Sequence, residues 1–143
     1  MVRVKKRYVL LECVLDDNGR YSSEGLPFGE GDVVVALREA VKMIHGDYGL
    51  GSVIGSLFCK RLSKKTRICL FSCRFGPHYM LTTSIPFVKK IKETPCSLRQ
   101  LTISGTIKGA CEFLKKFYER QVEDYENELK KFENTKFRLQ KLE

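Results

Sequence analysis

The sequence predicts an α+β fold in which helices cover one face of an antiparallel sheet. Short apolar stretches and helical patterns alternate in the order β-α-β-β-α-β, and a longer helical pattern follows them. The 143 residues fit one main domain, and an apolar content of 43% is typical of a folded core. We therefore expect an α/β sandwich over residues 1–118, a helical extension over residues 119–143, and a second sheet face that is free for a partner.

The first strand and the loop after it are predicted from an apolar run and its boundaries. Residues 7–15 are mostly apolar and are followed by the turn-forming residues 16–19. Residues 20–31 contain Ser, Pro and Gly, which are typical of a loop. Leu26 and Phe28 are the residues expected to anchor this loop on the core.

The first helix is predicted to begin at Asp32, because aspartate is a favourable N-cap residue. Gly46 is expected to end it, and residues 47–51 to form a tight connection. The face expected to pack on the core has the spacing of an amphipathic helix. It contains Val33, Leu37, Ala40, Val41 and Ile44.

Two further strands are predicted over residues 52–62 and 66–75, because both stretches are apolar and residues 63–65 separate them. The two strands form a hairpin with a basic tip. Gly76-Pro77 interrupts the strand pattern and is expected to start a second helix.

The second helix is predicted over about residues 78–92, with a kink or stop at Ile85, because Pro86 lacks an amide proton. Residues 97–104 alternate as a last strand, and a long helix opens after Gly105-Thr106. The first turns of that helix have an apolar face that is expected to be buried. It consists of Ile107, Ala110, Cys111, Leu114 and Tyr118.

The net charge favours a polyanionic partner. The chain has 26 Lys and Arg against 17 Asp and Glu, a net charge of +9 and a pI near 9.3. Most of the excess lies in residues 1–106. Such a surface attracts polyanions through counterion release, so nucleic acid is the leading candidate and an anionic membrane surface is the alternative.

Basic residues concentrate in the first strand and in the hairpin, where Glu12 is the only acid. We interpret them as an RNA-binding surface rather than as solvated charge. This surface consists of Arg3, Lys5, Lys6, Arg7, Lys60, Arg61, Lys64, Lys65, Arg67 and Arg74. The aromatic residues Tyr8, Phe58, Phe71 and Phe75 are interpreted as core residues, since the sequence pattern of an RNA-recognition motif is absent.

The turn Ser104-Gly105-Thr106-Ile107-Lys108 joins the last strand to the long helix. Free amides at a helix start attract anions, and Lys108 adds a positive charge, so Thr106 and Lys108 are candidate phosphate ligands. A turn in which Thr106 only caps the helix is the alternative.

The six cysteines and two histidines form no recognisable catalytic pattern. Cys13, Cys59, Cys69 and Cys73 lie in apolar runs, and Cys111 lies on a face predicted to be buried. We interpret the cysteines as structural thiols in a reducing compartment, with zinc binding as the alternative. The sequence also lacks P-loop, zinc-protease and serine-hydrolase motifs. We therefore predict no catalytic residues, no metal site and no cofactor bound by the protein.

Several short motifs occur in a fixed order over residues 1 to about 118. They are Met1-Val2-Arg3, Arg7-Tyr8, Glu12, His45-Gly46-Asp47-Tyr48-Gly49, Ser63, Thr66-x-Ile68, Cys73-Arg74 and Ser104-Gly105-Thr106-Ile107-Lys108. In this order they resemble the Pop-five-type protein subunit shared by archaeal and eukaryotic ribonuclease P and by ribonuclease MRP. Arg67 departs from the pattern, since that family usually has glycine there, and residues 119–143 match no part of it.

The resemblance implies a ferredoxin-like or RRM-like sandwich that braces the catalytic RNA of a nuclear, nucleolar ribonucleoprotein. In such a particle the RNA cleaves phosphodiester bonds, with Mg²⁺ on the RNA, and the substrates are precursor tRNA leaders and, for ribonuclease MRP, precursor ribosomal RNA. The implied partners are the structured catalytic RNA, a TIM-barrel-like protein subunit and further protein subunits, with no membrane. The residues alone leave open a free-standing RNA-binding or ribosome-assembly protein and a peripheral membrane adaptor.

The C-terminal extension has an apolar stripe with the spacing of a coiled-coil seam, interrupted by Lys136. The stripe consists of Tyr118, Val122, Tyr125, Leu129, Phe132 and Leu139. Acidic residues beside it would repel RNA, so we expect Val122, Tyr125, Leu129 and Phe132 to contact another protein subunit. A solvated helix is the alternative.

Overall fold

The computed structural model describes residues 4–15 and 26–141. Arg3 and the predicted turn over residues 16–19 lie outside the described residues. The helices and strands are β1 (Lys6–Leu15), α1 (Glu30–Ile54), β2 (Phe58–Ser63), β3 (Ile68–Arg74), α2 (His78–Ser84), a 3₁₀ turn (Ile85–Phe87), β4 (Lys90–Ile91), β5 (Thr94–Ser104) and α3 (Ile107–Lys141).

The strands form one antiparallel sheet in the order β2-β3-β1-β5-β4. The predicted α+β class is confirmed, because β1, β2, β3 and β5 occupy the places expected for the order β-α-β-β-α-β. β4 was not predicted. It adds a two-residue edge strand that pairs with the start of β5.

One face of the sheet packs against α1 and α2 to form the core. The strands supply alternate residues to this face, as the period of a β-strand requires. They are Val9, Leu11, Cys13, Cys69, Phe71, Cys73, Cys96 and Leu98. Leu26 and Phe28 are also buried in this core, which confirms that they anchor the loop before α1.

The other face of the sheet is not free at its centre. Leu10, Ile68 and Ser72 lie on this face, since they alternate with the core residues of β1 and β3, and all three are buried. The prediction that this face is open is therefore wrong at its centre. Exposed basic residues instead lie at the ends of the strands and along the edge strand β2.

α1 begins and ends at other residues than the sequence predicts. Its N-cap is Gly29, and Asp32 lies three residues inside the helix, where its carboxylate accepts the N–H of Gly29 at 2.9 Å. Gly46 has φ 70° and marks a kink inside the helix rather than its end. Ile44, just before the kink, is exposed instead of lying on the buried face.

The helix continues after Gly46 because the second segment packs closely on the first. A Cβ on Gly49 would overlap the Cβ of His45 and would lie 3.5 Å from Met80 Sδ, so only glycine fits there without a shift. His45 Nε2 also hydrogen-bonds the Thr83 hydroxyl at 2.8 Å, which links α1 to α2. These contacts make residues 47–54 helical, and the connection predicted there is wrong.

The remaining boundaries change for local reasons. β2 begins at Phe58, so the strand predicted from residue 52 is wrong over its first part. α2 ends at Ser84, next to the stop predicted from Pro86. The helix predicted over residues 88–92 is wrong, because these residues are not helical.

The chain divides into two compact units, Met1–Ala110 and Cys111–Glu143. The first contains the sheet, α1, α2 and the first turn of α3. Ala110 is buried as predicted, whereas Ile107 and Cys111 are exposed, so the predicted buried face of α3 is wrong at these two positions. Among the described residues, no helix is long and apolar enough to cross a membrane.

Candidate nucleic-acid interface

The start of β1, the residue before it and the last residue of β3 bring four basic side chains to one end of the sheet. Lys6 pairs with Arg74 in the strand register. The N–H of Phe75 donates to the carbonyl of Lys5 at 2.8 Å, so the pairing extends past both strands. We call Lys5, Lys6, Arg7 and Arg74 the basic sheet end. All but Arg7 are exposed, and Arg7 is half-buried.

Arg7 is held in a defined position. Its guanidinium carbon lies 4.5 Å from the centroid of the Phe75 ring, and its Nη1 donates to the carbonyl of Lys6 at 3.0 Å. A Cβ on Gly105 would lie 3.6 Å from the same Nη1. The turn before α3 therefore passes beside Arg7, and the basic sheet end is continuous with the start of α3.

That turn is stabilised by its own side chains. The Thr106 hydroxyl accepts the N–H of Gly109 at 3.0 Å, and the Ser104 hydroxyl accepts the N–H of Thr106 at 3.3 Å. The capping role weighed for Thr106 is therefore present. Ile107 and Lys108 lie in the first turn, where amides have no intrahelical acceptor, and the Lys108 side chain is exposed.

The basic tip of the β2–β3 hairpin, formed by Lys64, Lys65 and Arg67, lies at the opposite end of the sheet. β3 separates the two groups, since it begins at Ile68 beside the tip and ends at Arg74. β3 has seven residues at about 3.3 Å each, so the hairpin tip and the basic sheet end lie roughly 20 Å apart. The bases that the sequence suggested as one surface are therefore not one cluster among the described residues, which exclude Arg3.

Arg67 has an unusual backbone in the hairpin turn. Its φ is 60°, in the left-handed region that favours glycine. Its N–H donates to the carbonyl of Ser63 at 2.9 Å, and its carbonyl accepts the N–H of Cys13 at 2.8 Å. This geometry explains why a glycine suits the position, and nothing in the structure explains the arginine that replaces it.

Lys60 and Arg61 lie on the edge strand β2 between the two groups. The register of β2 and β3 shifts between Cys59 and Arg61, which leaves Lys60 at a β-bulge. Both basic side chains are exposed. They provide positive charge along the edge of the sheet from one group toward the other.

Positive charge dominates the sequence around the basic sheet end, whereas Glu12 lies near the hairpin tip, since it pairs with Ile68 in the strand register. Residues 48–92 contain nine Lys or Arg and no Asp or Glu. Glu12 of β1, the acid nearest in sequence to the basic sheet end, lies toward the far end of its strand and pairs with Arg99 at 3.4 Å. The field at the basic sheet end is therefore positive and favours a polyanion.

Aromatic residues beside the basic sheet end are partly exposed. Phe71 is fully buried as predicted, but Phe58 and Phe75 are 53% and 42% exposed, so their assignment to the core is wrong. His78 is buried against Phe75 and Tyr79. Its Nδ1 accepts the N–H of Gly76 at 3.0 Å. Burial, and then the charge of Arg7, lower the pKa of His78, so this ring is neutral near pH 7.

The cysteines behave mainly as core residues. Cys13, Cys69, Cys73 and Cys96 are buried. Desolvation raises the pKa of Cys73, and a side-chain hydrogen bond with Cys13, followed by desolvation, raises the pKa of Cys96. Burial also raises the pKa of the half-buried Cys59 to about 11. Within residues 4–15 and 26–141, no three His, Cys, Asp or Glu side chains are grouped so that they could hold a metal ion.

The apolar stripe predicted on the C-terminal helix is exposed in the second unit. Val122, Tyr125, Leu129 and Phe132 are each more than half exposed. The side chain of Leu139 lies outside the described residues. The stripe thus remains available on α3 as a candidate protein contact.

Comparison with known proteins agrees with the fold and with the order of the motifs. The model of the Rpp14/Pop5 family matches residues 7–115. The chain is 30% identical to the ribonuclease P/MRP protein subunit POP5 of Danio rerio over 130 residues, which cover 86% of this chain and 74% of that protein. It is 29% identical to the human protein of the same name over 129 residues, covering 85% and 75% of the two chains.

A solved structure has a similar fold. A chain in the cryo-EM structure of yeast ribonuclease MRP superposes with a TM-score of 0.57 at 15% identity, covering 88% of this chain and 98% of that chain. The family match includes the start of the basic sheet end at Arg7, the kinked α1 with its His45-Gly46-Asp47-Tyr48-Gly49 motif and the turn before α3. The chain therefore belongs to the Rpp14/Pop5 family.

Proposed function

We propose that this chain is a protein subunit of a ribonuclease P or ribonuclease MRP ribonucleoprotein and that it binds the RNA of that particle through the basic sheet end. The observation that carries the proposal is the alignment of Lys6, Arg7 and Arg74 at paired strand ends beside the start of α3. The names of the relatives and of the structural neighbour support the choice of particle.

The role that fits this surface is electrostatic bracing of folded RNA. Fixed lysines and arginines replace loosely held counterions around closely packed phosphates, so the RNA needs less Mg²⁺ to fold. In this proposal the RNA, with Mg²⁺ bound to it, cleaves the phosphodiester bond, and this chain takes no chemical step. The substrates are precursor tRNA leaders and, in ribonuclease MRP, precursor ribosomal RNA.

The exposed stripe of α3 is proposed to contact another protein subunit of the particle. Glu119, Glu123, Asp124, Glu126 and Glu128 accompany the first half of this stripe, and their charge disfavours contact with phosphates. A TIM-barrel-like subunit is the partner that the family suggests, and the nucleus with its nucleolus is the compartment.

Affinity purification of the full chain from its native cells, followed by RNA sequencing and protein identification, tests this function. We expect one structured RNA together with several protein subunits. Recovery of ribosomal RNA alone would instead support a free-standing ribosome-assembly protein, and recovery of lipid would support a membrane adaptor.

The purified chain with Mg²⁺ is expected to leave precursor tRNA intact.

A chain that ends at Glu119 separates the roles of the two units. We expect this variant to fold, to bind RNA with an unchanged salt dependence, and to retain fewer protein subunits in the purified particle. A truncated chain that keeps every protein subunit but loses the RNA would show that the helical extension contacts RNA instead.

A further inference from the structure

Three aromatic rings follow β3 directly and form a stack at its end. The ring centroids of Phe75 and His78 are 5.2 Å apart with planes 25° from parallel, and those of His78 and Tyr79 are 4.1 Å apart. The chain turns at Gly76, with φ 102°, and the bond from its N–H to His78 Nδ1 fixes the middle ring. The stack is therefore held by the backbone that connects β3 to α2.

The outer ring of this stack is the one available to a ligand. Arg7 covers Phe75 and His78 is buried, whereas Tyr79 is 62% exposed. An exposed tyrosine ring supported from behind by another ring is already ordered, so a flat ligand can stack on it with little loss of conformational freedom.

The charges beside Tyr79 match a phosphodiester chain. Lys5 lies at the base of the stack, since the Phe75 N–H binds the Lys5 carbonyl, and Arg7 covers the Phe75 ring. Arg74 precedes Phe75 and extends from the other face of the same strand end. No acidic residue occurs in residues 4–11 or 68–84, which form the strand ends and α2. Single-stranded nucleic acid combines these two features, since its bases stack on aromatic rings and its phosphates follow basic side chains.

We propose that Tyr79 is a stacking platform for one unpaired base of RNA, whose flanking phosphates contact the basic sheet end. This inference rests on the proposed function, and it adds the class of RNA element that this surface accepts. The interior of a double helix cannot use the platform, because its bases are already stacked on one another. The surface therefore selects a bulge, loop or single strand over a continuous duplex.

Binding of two probes to the full chain tests this inference. The probes are a fluorescein-labelled octauridylate and a long labelled RNA duplex, in which interior base pairs far outnumber the two ends. We expect Tyr79→Leu to weaken octauridylate binding by roughly 5-fold or more, because one base stack is lost. Duplex binding and the salt dependence of both complexes are expected to stay unchanged, since no phosphate contact is removed.

Two variants control for other effects of the substitution. Tyr79→Phe keeps the ring and is expected to bind octauridylate like the wild type. Tyr48→Leu removes another exposed tyrosine, 79% exposed, from α1 beside Asp47, and is expected to leave the binding of both probes unchanged. Because the chain contains no tryptophan, Tyr79→Trp also adds a single fluorescent reporter, which octauridylate should quench and the duplex should not.

The outcomes separate this inference from the proposed function. One outcome would overturn the platform and leave the RNA-binding surface intact. In it, Tyr79→Leu binds octauridylate like the wild type, while Lys6→Ala/Arg74→Ala weakens binding of both probes. A wild-type chain that binds neither probe nor the particle RNA would overturn the proposed function as well. A Tyr79→Leu chain that binds octauridylate normally but loses a protein subunit would reassign the ring to a protein contact.

Discussion

Replacing Gly49 with alanine should destabilise the first unit, although alanine is normally the better helix former. The new Cβ would overlap the Cβ of His45, and neither atom is the end of a flexible side chain. Overpacking costs about 1–3 kcal/mol, and an overlap of two Cβ atoms belongs in the upper part of that range, about 2–3 kcal/mol, whereas the gain in helix propensity is about 1 kcal/mol. We therefore expect a net loss of roughly 1–2 kcal/mol, part of it from displacement of His45 away from Thr83.

Gly51→Ala is the matched control in the same helical segment. A Cβ at Gly51 has open space around it, so the substitution should stabilise by about 0.5–1 kcal/mol. For a unit of this size, a change of 1 kcal/mol shifts the Tm by about 4 °C. Differential scanning calorimetry should therefore show a Tm lowered by about 4–8 °C for Gly49→Ala and raised by a few degrees for Gly51→Ala. Equal increases for both variants would refute the close approach of Gly49 to His45.

Three further predictions concern the turn after β4, the buried histidine and the thiols. Lys92 and Glu93 have φ values of 48° and 62° in a two-residue hairpin turn, where Asn-Gly is the favoured pair. Lys92→Asn/Glu93→Gly should therefore raise the free energy of unfolding by about 1–2 kcal/mol, and an unchanged urea midpoint would contradict this. Because the pKa of His78 is lower in the folded chain, the unfolded chain takes up this proton at a higher pH than the folded chain. The free energy of unfolding should therefore fall as pH decreases through 6.5 toward 5. His78→Gln should remove that part of the pH dependence in denaturation at several pH values. Mass spectrometry after iodoacetamide treatment should find the exposed Cys111 alkylated before Cys59, whose pKa is about 11, and the reverse order would be inconsistent with the structure.

The sequence predicts the fold class well because most of its strands and helices have strong local signals. The alternation in β1, β3 and β5 and the helical stripe from Val33 to Val41 are direct consequences of which side chains are buried. The second half of α1 was missed because Gly46 has the sequence signature of a helix end, whereas the helix beyond it depends on the fit of Gly49 against His45 and against Met80 of α2, which is distant in sequence. β4 was missed because two residues show no period.

The candidate site could be predicted by residue type but not by arrangement. Basic residues near β1 and in the hairpin were identified, yet only the strand register separates the tip at Lys64 from Arg74. Tyr79 was not identified as a ligand-facing residue, because aromatic residues in apolar stretches are more often buried. The turn at Gly76 brings its ring to the surface. A tyrosine after a Gly-Pro pair at the end of a basic strand is the signal that could have indicated it.

The salt dependence of RNA binding tests the central claim most directly, namely that the basic sheet end holds RNA. The measurement compares Lys6→Ala/Arg74→Ala with Lys130→Ala/Lys131→Ala, which removes the same charge from exposed positions of α3. With the RNA recovered from the particle, the first variant should flatten the slope of log affinity against log salt by about 1.5, and the second should leave it unchanged. An unchanged slope for Lys6→Ala/Arg74→Ala, or an equal change in both variants, would contradict the account.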